Sequence, residues 1–425
     1  MRKFTVAVAI GSGLVAAWIA TGWTQTPAAK TPIKVGVMYP FKGPFAVLGE
    51  LQLVGMRLAF DQRGNRIAGR EVQLIVEDDE AKPDVGLTKV RKLIEQDRVA
   101  VLAGIVSSAV AYAVRGAVHD AKVPLVITMA NSGGLTRDQR SPYIFRTFQP
   151  GGTGSYYMGK WLHDKLGKRK AIFSGSDYAY GREHAEMFKK GFEAAGGKVA
   201  AEIFAPLGTA DFGTYVTQIG RVASDADVVY IVYSGIDAIR FVKAFSEYGL
   251  KDKLTLANWG ATLDGKSGLG GMGDAALGAY QIATYIPALD FPVNRRFVEA
   301  TKQKLGYMDP LVQMGHIGGD VIGRALEAVH GNVEDTAGFL QALRSVQFDS
   351  TLGPFRFDPQ SQNVLANIYI TRAEKVGNEI HSQYLITYSP NNTAEGGFHE
   401  IEVEVNRANL KVRTRPGYWL ASLTK

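Results

Sequence analysis

Val99-Ala100-Val101-Leu102-Ala103 runs directly into Gly104-Ile105-Val106-Ser107-Ser108-Ala109, and a stretch rich in Ala and Val follows. A short apolar run of this kind suits a strand buried on both faces, and Gly frees the turn that follows it. The next stretch reads as a helix. Strand, polar turn and helix form the unit of a parallel sheet, and the unit recurs on both sides. Upstream lie Ile33-Lys34-Val35-Gly36-Val37-Met38, a helix from about Leu51 to Arg63 stopped by Gly64, and the strand Val72-Gln73-Leu74-Ile75-Val76. That strand enters the acidic run Glu77-Asp78-Asp79-Glu80, and a helix over 83–97 presents Val90, Leu93 and Ile94 on one face. Downstream, Pro124 to Thr128 reads as a further strand. The βαβα order predicts an α/β fold with a parallel sheet covered by helices.

The rhythm restarts after residue 150. Strands are expected over 170–174, 198–204, 227–233 and 254–257, with Phe212, Tyr215, Val216, Ile219 and Val222 at helical spacing between them. Met314 to His330 and Ala337 to Val346 read as helices, and Gly353 to Phe357 and Leu365 to Thr371 as strands. Two similar α/β lobes are therefore expected. Ligands of open parallel sheets bind at the carboxyl ends of the strands, beside helix N-termini. Two such lobes facing each other make a cleft that closes on a small molecule by hinge motion.

The chain has 425 residues, 46% apolar and 21% charged, ordinary values for a globular protein with a core in each lobe. Its formal charge of +7 is spread along the chain, which argues against a nucleic-acid surface. Arg2 and Lys3 precede an apolar run from Phe4 to Ala20 and a small, polar exit ending in Pro27-Ala28-Ala29. This is the pattern of a cleaved signal peptide over residues 1–29, too short for a membrane span. An exported protein is expected. With no cysteine in the chain, no disulfide or lipid anchor on Cys is expected.

Two loops carry the candidate chemistry. Gly104-Ile105-Val106-Ser107-Ser108 and Met129-Ala130-Asn131-Ser132-Gly133-Gly134 follow neighbouring strands and are rich in hydroxyl and N–H donors. Either could merely cap a helix. Together, at corresponding points of the topology, they are expected to clamp a carboxylate.

With these loops the sequence resembles the leucine/isoleucine/valine-type receptors of ABC importers, which have the type I periplasmic binding fold of two Rossmann-like lobes and a hinge. Further points of likeness are Gly43-Pro44-Phe45-Ala46-Val47-Leu48-Gly49, Asp177-Tyr178-Ala179-Tyr180-Gly181, Asp227-Val228-Val229-Tyr230 and Gly353-Pro354-Phe355-Arg356-Phe357-Asp358. The likeness covers about residues 33–384. It implies one lobe of residues 33–148 and 285–349 and another of 149–284 and 350–384. Residues 385–425 are left as a short β-rich extension whose middle, His399 to Val405, alternates polar and apolar. By the same resemblance, Ser108, Ala130 and Ser132 hold a carboxylate, with Ser107 and Asn131 beside them. Tyr180 closes over the ligand from the second lobe, with Tyr178 and Ser234 near it.

Two departures matter. In the amino-acid receptors an acid binds the ligand's ammonium where Leu256-Ala257-Asn258-Trp259-Gly260 has Trp259, and a tyrosine often stands where this chain has Leu48. An indole cannot balance a buried ammonium. The expected ligand is therefore a small carboxylate, aromatic or otherwise apolar, without an α-ammonium. Asp237 could restore the missing charge, though capping the next helix is its expected role. The resemblance implies the periplasm as the compartment and permease subunits as partners. A periplasmic sensor of the same fold, or a receptor for branched-chain amino acids, stands as the alternative.

Nothing in the chain argues for an enzyme, a metal or a cofactor. His316 and Asp320 sit four apart on a helix, the spacing of a packing pair. Gly268-Leu269-Gly270-Gly271-Met272-Gly273 matches a dinucleotide pattern, but it leads into the strand Tyr280 to Tyr285 and is expected to be a loop.

Overall fold

The computed structural model describes residues 31–260, 265–376, 379–385, 397–400 and 417–420. Residues 1–29, expected to be a signal peptide, and most of the extension beyond 385 lie outside them. The first sheet contains β1 (Ile33–Tyr39), β2 (Arg66–Ile67), β3 (Arg70–Asp78), β4 (Val101–Gly104), β5 (Leu125–Ile127) and β6 (Ile144–Arg146), in the order β2-β3-β1-β4-β5-β6. Apart from the β2–β3 hairpin its pairings are parallel. Helices α1 (Ala46–Asp61), α2 (Pro83–Arg91) and α3 (Ser108–Ala121) connect these strands. Val35, Val37, Val101, Ala103 and Val126 point to one core, while Met38, Leu102, Leu125 and Ile127 point to another. The continuous apolar runs are thus explained by cover on both faces.

The second sheet is built from β7 (Lys170–Ser176), β8 (Lys198–Ala205), β9 (Val228–Val232), β10 (Thr255–Trp259) and β11 (Tyr280–Ala283), all parallel. Its helices include α4 (Gly151–Asp164), α5 (Ala179–Ala194), α6 (Gly213–Val222), α7 (Ile236–Glu247) and α8 (Gly265–Met272). The chain then returns to the first lobe with α9 (Pro292–Leu305), α10 (Pro310–Ala328) and α11 (Thr336–Arg344). Helices α1 and α10 cross at glycines. A Cβ on Gly55 would stand 1.8 Å from the Val312 carbonyl oxygen, and one on Gly315 equally close to that of Gln52.

A hairpin of β12 (Gln347–Ser350) and β13 (Gly353–Arg356) follows, and then β14 (Tyr369–Val376) adds antiparallel to β11 and β15 (Glu379–Leu385) antiparallel to β14. Residues 350–364, expected in the second lobe, bond to the first. Arg146 N donates to Gln362 O at 3.0 Å, Val364 N donates to Arg146 O at 2.8 Å, and Phe357 packs on Phe145. The strand expected from Leu365 begins only at Tyr369, because 365–368 cross between the sheets. The glycine run at 268–273 is helical at its start rather than a loop: Gly268, Leu269 and Met272 are buried in α8, and bare Gly271 admits Ile239 of α7. His316 and Asp320 are packing groups, bonded to Gln62 and Arg63 respectively. In the extension, Gly397–Glu400 and Gly417–Leu420 pair antiparallel.

Candidate functional site

A cavity with an empty volume of about 370 Å³ lies between the lobes. Its wall is assembled from the carboxyl ends of parallel strands, as the topology requires. Val106 follows β4, and Met129 and Asn131 follow β5; Phe45 precedes α1, and Phe148 lies on the crossing after β6. The second lobe adds Tyr178 after β7, Tyr180 in α5, Ser234 after β9, and Trp259 and Gly260 at the end of β10. No described residue of this wall is charged.

Of the expected site residues, Asn131, Tyr178, Tyr180, Ser234 and Trp259 meet in this wall. Ser107, Ser108, Ala130 and Ser132 lie in the two loops beside it, all buried, and do not line it. The loops join through Ser132 N–H, which donates to Ser108 Oγ at 3.2 Å. Ser107 stands at the start of α3 and Ser132 before the short turn Gly133–Thr136, yet neither hydroxyl caps its helix. Their Oγ atoms and Asn131 Oδ1 are buried with no hydrogen-bond partner. Tyr112 lies near enough to Ser132 to influence its own ionisation, but no hydrogen bond of ordinary geometry joins them. Buried polar groups are rarely left unsatisfied, so three at one place make a ready-made seat for a polar group.

Leu48 is corrected: it packs in the core along α1, and Phe45, one turn earlier, forms the wall instead. Asp237 neither lines the cavity nor caps α7. It lies inside the first turn, and its carboxylate accepts the Gly208 N–H at 2.7 Å. Burial raises its pKa.

The rings are packed tightly. Tyr178 and Tyr180 stack at 5.7 Å, and the Tyr180 hydroxyl meets Ser234 Oγ at 3.3 Å. Burial keeps both phenols protonated. Trp259 stands edge-on to Phe148 at 6.4 Å and tilts against His184 at 5.1 Å. A Cβ on Gly154 would stand 1.9 Å from the indole, so only glycine leaves it room. His184 binds Ser155 Oγ at 2.7 Å, and burial lowers its pKa to about 3, so it supplies a neutral ring. Sequence reasoning missed Phe45, Val106, Met129, Phe148 and Gly260. Phe45 stood in a quoted motif, but apolar wall residues carry no signal that separates them from core.

The lobes touch across the cleft. Glu183 of α5 accepts the Gly133 N–H of the first lobe at 2.6 and 2.8 Å and pairs with Arg137 at 2.8 Å. On the other side Gly235 passes so close to Pro44 that a Cβ there would stand 2.2 Å from its carbonyl oxygen.

The profile of the periplasmic binding proteins matches residues 32–378. The chain belongs to that family. The receptor is 30% identical over 347 residues to a Leu/Ile/Val-binding protein homolog of Brucella melitensis, covering 81% of this chain and 88% of that one. It is 40% identical to an ABC transporter substrate-binding protein from Sphaerobacter thermophilus, with a TM-score of 0.77 over 84% of this chain and 97% of the other. A third relative is a solute-binding protein of an ABC transporter from Rhodopseudomonas palustris, solved in complex with 3,4-dihydroxybenzoic acid. It is 30% identical, with a TM-score of 0.77 over 84% of this chain and 96% of that one. The receptor is thus a substrate-binding protein of the ABC-transporter class, and its family is periplasmic.

Proposed function

We propose that this receptor captures a small aromatic carboxylate and delivers it, without chemical change, to the permease subunits of an importer after cleavage of residues 1–29. The observation that carries the reading is the uncharged, ring-rich wall. Phe45, Phe148, Tyr178, Tyr180 and Trp259 supply flat apolar faces, and no acid is among the described residues of the wall. An ammonium entering there would lose water and gain no counter-charge. An aromatic ring gains about 2.5 kcal/mol for each 100 Å² of apolar surface it buries, and edge-on packing against the wall rings adds to this. The carboxylate is assigned to the free hydroxyls of Ser107 and Ser132, which can donate to it, with Ser108 holding the loops in register. The relative with a bound dihydroxybenzoic acid supports the same class of ligand.

Calorimetry with benzoate, 3,4-dihydroxybenzoate, leucine, valine and phenylalanine tests the proposal. The two ring acids should bind and the three amino acids should not. Leucine binding as tightly as either ring acid would return the receptor to the branched-chain amino-acid class.

A further inference from the structure

Arg146 ends β6 with its side chain fully buried. Its guanidinium reaches four groups of the protein. Nε donates to Asn363 Oδ1 at 2.9 Å, Nη1 to the Ser132 carbonyl at 2.8 Å and, at 3.5 Å, to that of Ala130, and Nη2 to Thr136 Oγ1. All four partners are neutral. Burial lowers the pKa to about 10, which still leaves the group charged at neutral pH. A buried cation without a bonded anion is costly, and proteins seldom keep one without a use.

The two carbonyls that Arg146 holds flank Asn131, which lines the ligand cavity. A trans peptide points its C=O and its N–H in opposite directions. Drawing the Ala130 and Ser132 carbonyls towards the guanidinium therefore turns the N–H groups of Asn131 and Gly133 away from it. The Gly133 N–H already meets a carboxylate, that of Glu183. The Asn131 N–H has no partner among the described residues. The loop thus offers one free donor, the Asn131 N–H, beside one already taken by Glu183, with a fixed positive charge behind both.

Resting on the aromatic-acid reading above, we infer that Arg146 is a specificity-determining positioning residue. It never touches the ligand; it orients the 130–133 loop and supplies the charge that makes the loop select a carboxylate over a neutral isostere. Among the described residues, Glu183 is the one carboxylate that acts on this charge through space, without a hydrogen bond to it, and the ligand carboxylate adds a second anion on the cavity side. Glu183 takes the adjoining N–H from the other lobe. The selectivity for an acid is then set below the cavity floor, by a residue outside its lining.

Calorimetry of wild type, Arg146→Gln and Arg146→Lys with benzoate and with benzamide tests this. Arg146→Gln should weaken benzoate about tenfold or more, as expected for loss of charge-assisted hydrogen bonding, while benzamide changes less than about threefold. Arg146→Lys keeps a charge but not the planar fork, so it should recover part of the discrimination. Equal loss for acid and amide would mean a purely architectural role and overturn the inference. Should the variants not fold, the wild-type protein decides. Its Asn131 amide proton should move downfield on saturation with benzoate and not with benzamide, and an unmoved resonance would overturn the inference. Failure of wild type to bind any aromatic acid would bring down the ligand reading itself. Tight benzoate binding without acid–amide discrimination would sink only the role of Arg146.

Discussion

Replacing Glu183 with Ala should open the cleft. In the structure this side chain comes from the second lobe, is only 14% exposed, and accepts the Gly133 N–H of the first lobe with both oxygens. A hydrogen bond to a charged group is worth about 1.5–3 kcal/mol. Arg137, its other partner, is 53% exposed, so water screens that pair and it adds at most about 1 kcal/mol. The hydrogen bond alone, lost only from the closed state, should move the closed-to-open ratio about tenfold to a hundredfold towards open. Because a ligand in a cleft needs the closed form, the apparent Kd should weaken by up to that factor if the free protein is mainly open in the variant. Small-angle scattering without ligand should show a larger radius of gyration in Glu183→Ala than in wild type. Saturating benzoate should bring the two together. Identical radii without ligand, together with unchanged affinity, would refute the idea that this contact bears on closure.

Ser132→Ala should weaken benzoate about tenfold while changing the ligand-free melting temperature little, since its hydroxyl makes no hydrogen bond of ordinary geometry in the protein; calorimetry and thermal melts check the two halves. Gly154→Ala should drive the Trp259 indole into the cavity, at a cost of about 1–3 kcal/mol of overpacking, seen as a lower melting temperature and weaker ligand binding. Asp79 is buried at the end of β3, and desolvation raises its pKa to about 7. Between the ordinary carboxylate value and that figure the folded state holds a proton that the unfolded state has released. Stability should therefore fall as pH rises through this window. Asp79→Asn removes the titrating group, so it should raise the melting temperature more at pH 8 than at pH 4.

The parallel sheets were legible because their strands are buried on both faces. Val99–Ala103 and Val228–Val232 show unbroken apolar runs that few other structures require. The candidate loops stood out for a related reason: ligands of open sheets collect at strand carboxyl ends, where Ser107, Asn131 and Ser132 stand, although only Asn131 lines the cavity. The family likeness then marked Trp259. Other features depend on how the two lobes meet, which no local pattern records. Phe148 looks like any core phenylalanine until the segment crossing between the lobes brings it edge-on to Trp259. Glu183 looks like a solvated helix residue until the lobes close. Gln362, Asn363 and Val364 sit in a polar turn region with no strand pattern, so their attachment to β6 was invisible. Leu48 shows the reverse error: homologous position suggested a wall residue, but Leu48 packs in the core and Phe45, in the turn before α1, lines the cavity. The glycines of α8 read as a loop because glycine is poor in helices, yet Gly271 is there to let α7 approach.

The first lobe is discontinuous, and this orders its assembly. Helix α1 is complete by residue 61, but the helix that packs on its glycine face, α10, begins only at residue 310. Arg63 and Asp320, joined across this junction, are 257 positions apart. Bringing such distant segments together in an unfolded chain is slow, since the loop between them must close first. The run from α4 to β11 is unbroken and carries five of the seven strands of the second sheet, so most of that lobe precedes the last helices of the first in the chain. Once this run has folded, it no longer counts as floppy chain: it becomes a compact bridge whose two ends already lie side by side at the crossings. The lobe that contributes Tyr178, Tyr180 and Trp259 to the cavity thus also serves as a scaffold, delivering the last helices of its neighbour to the place where α1 waits uncovered.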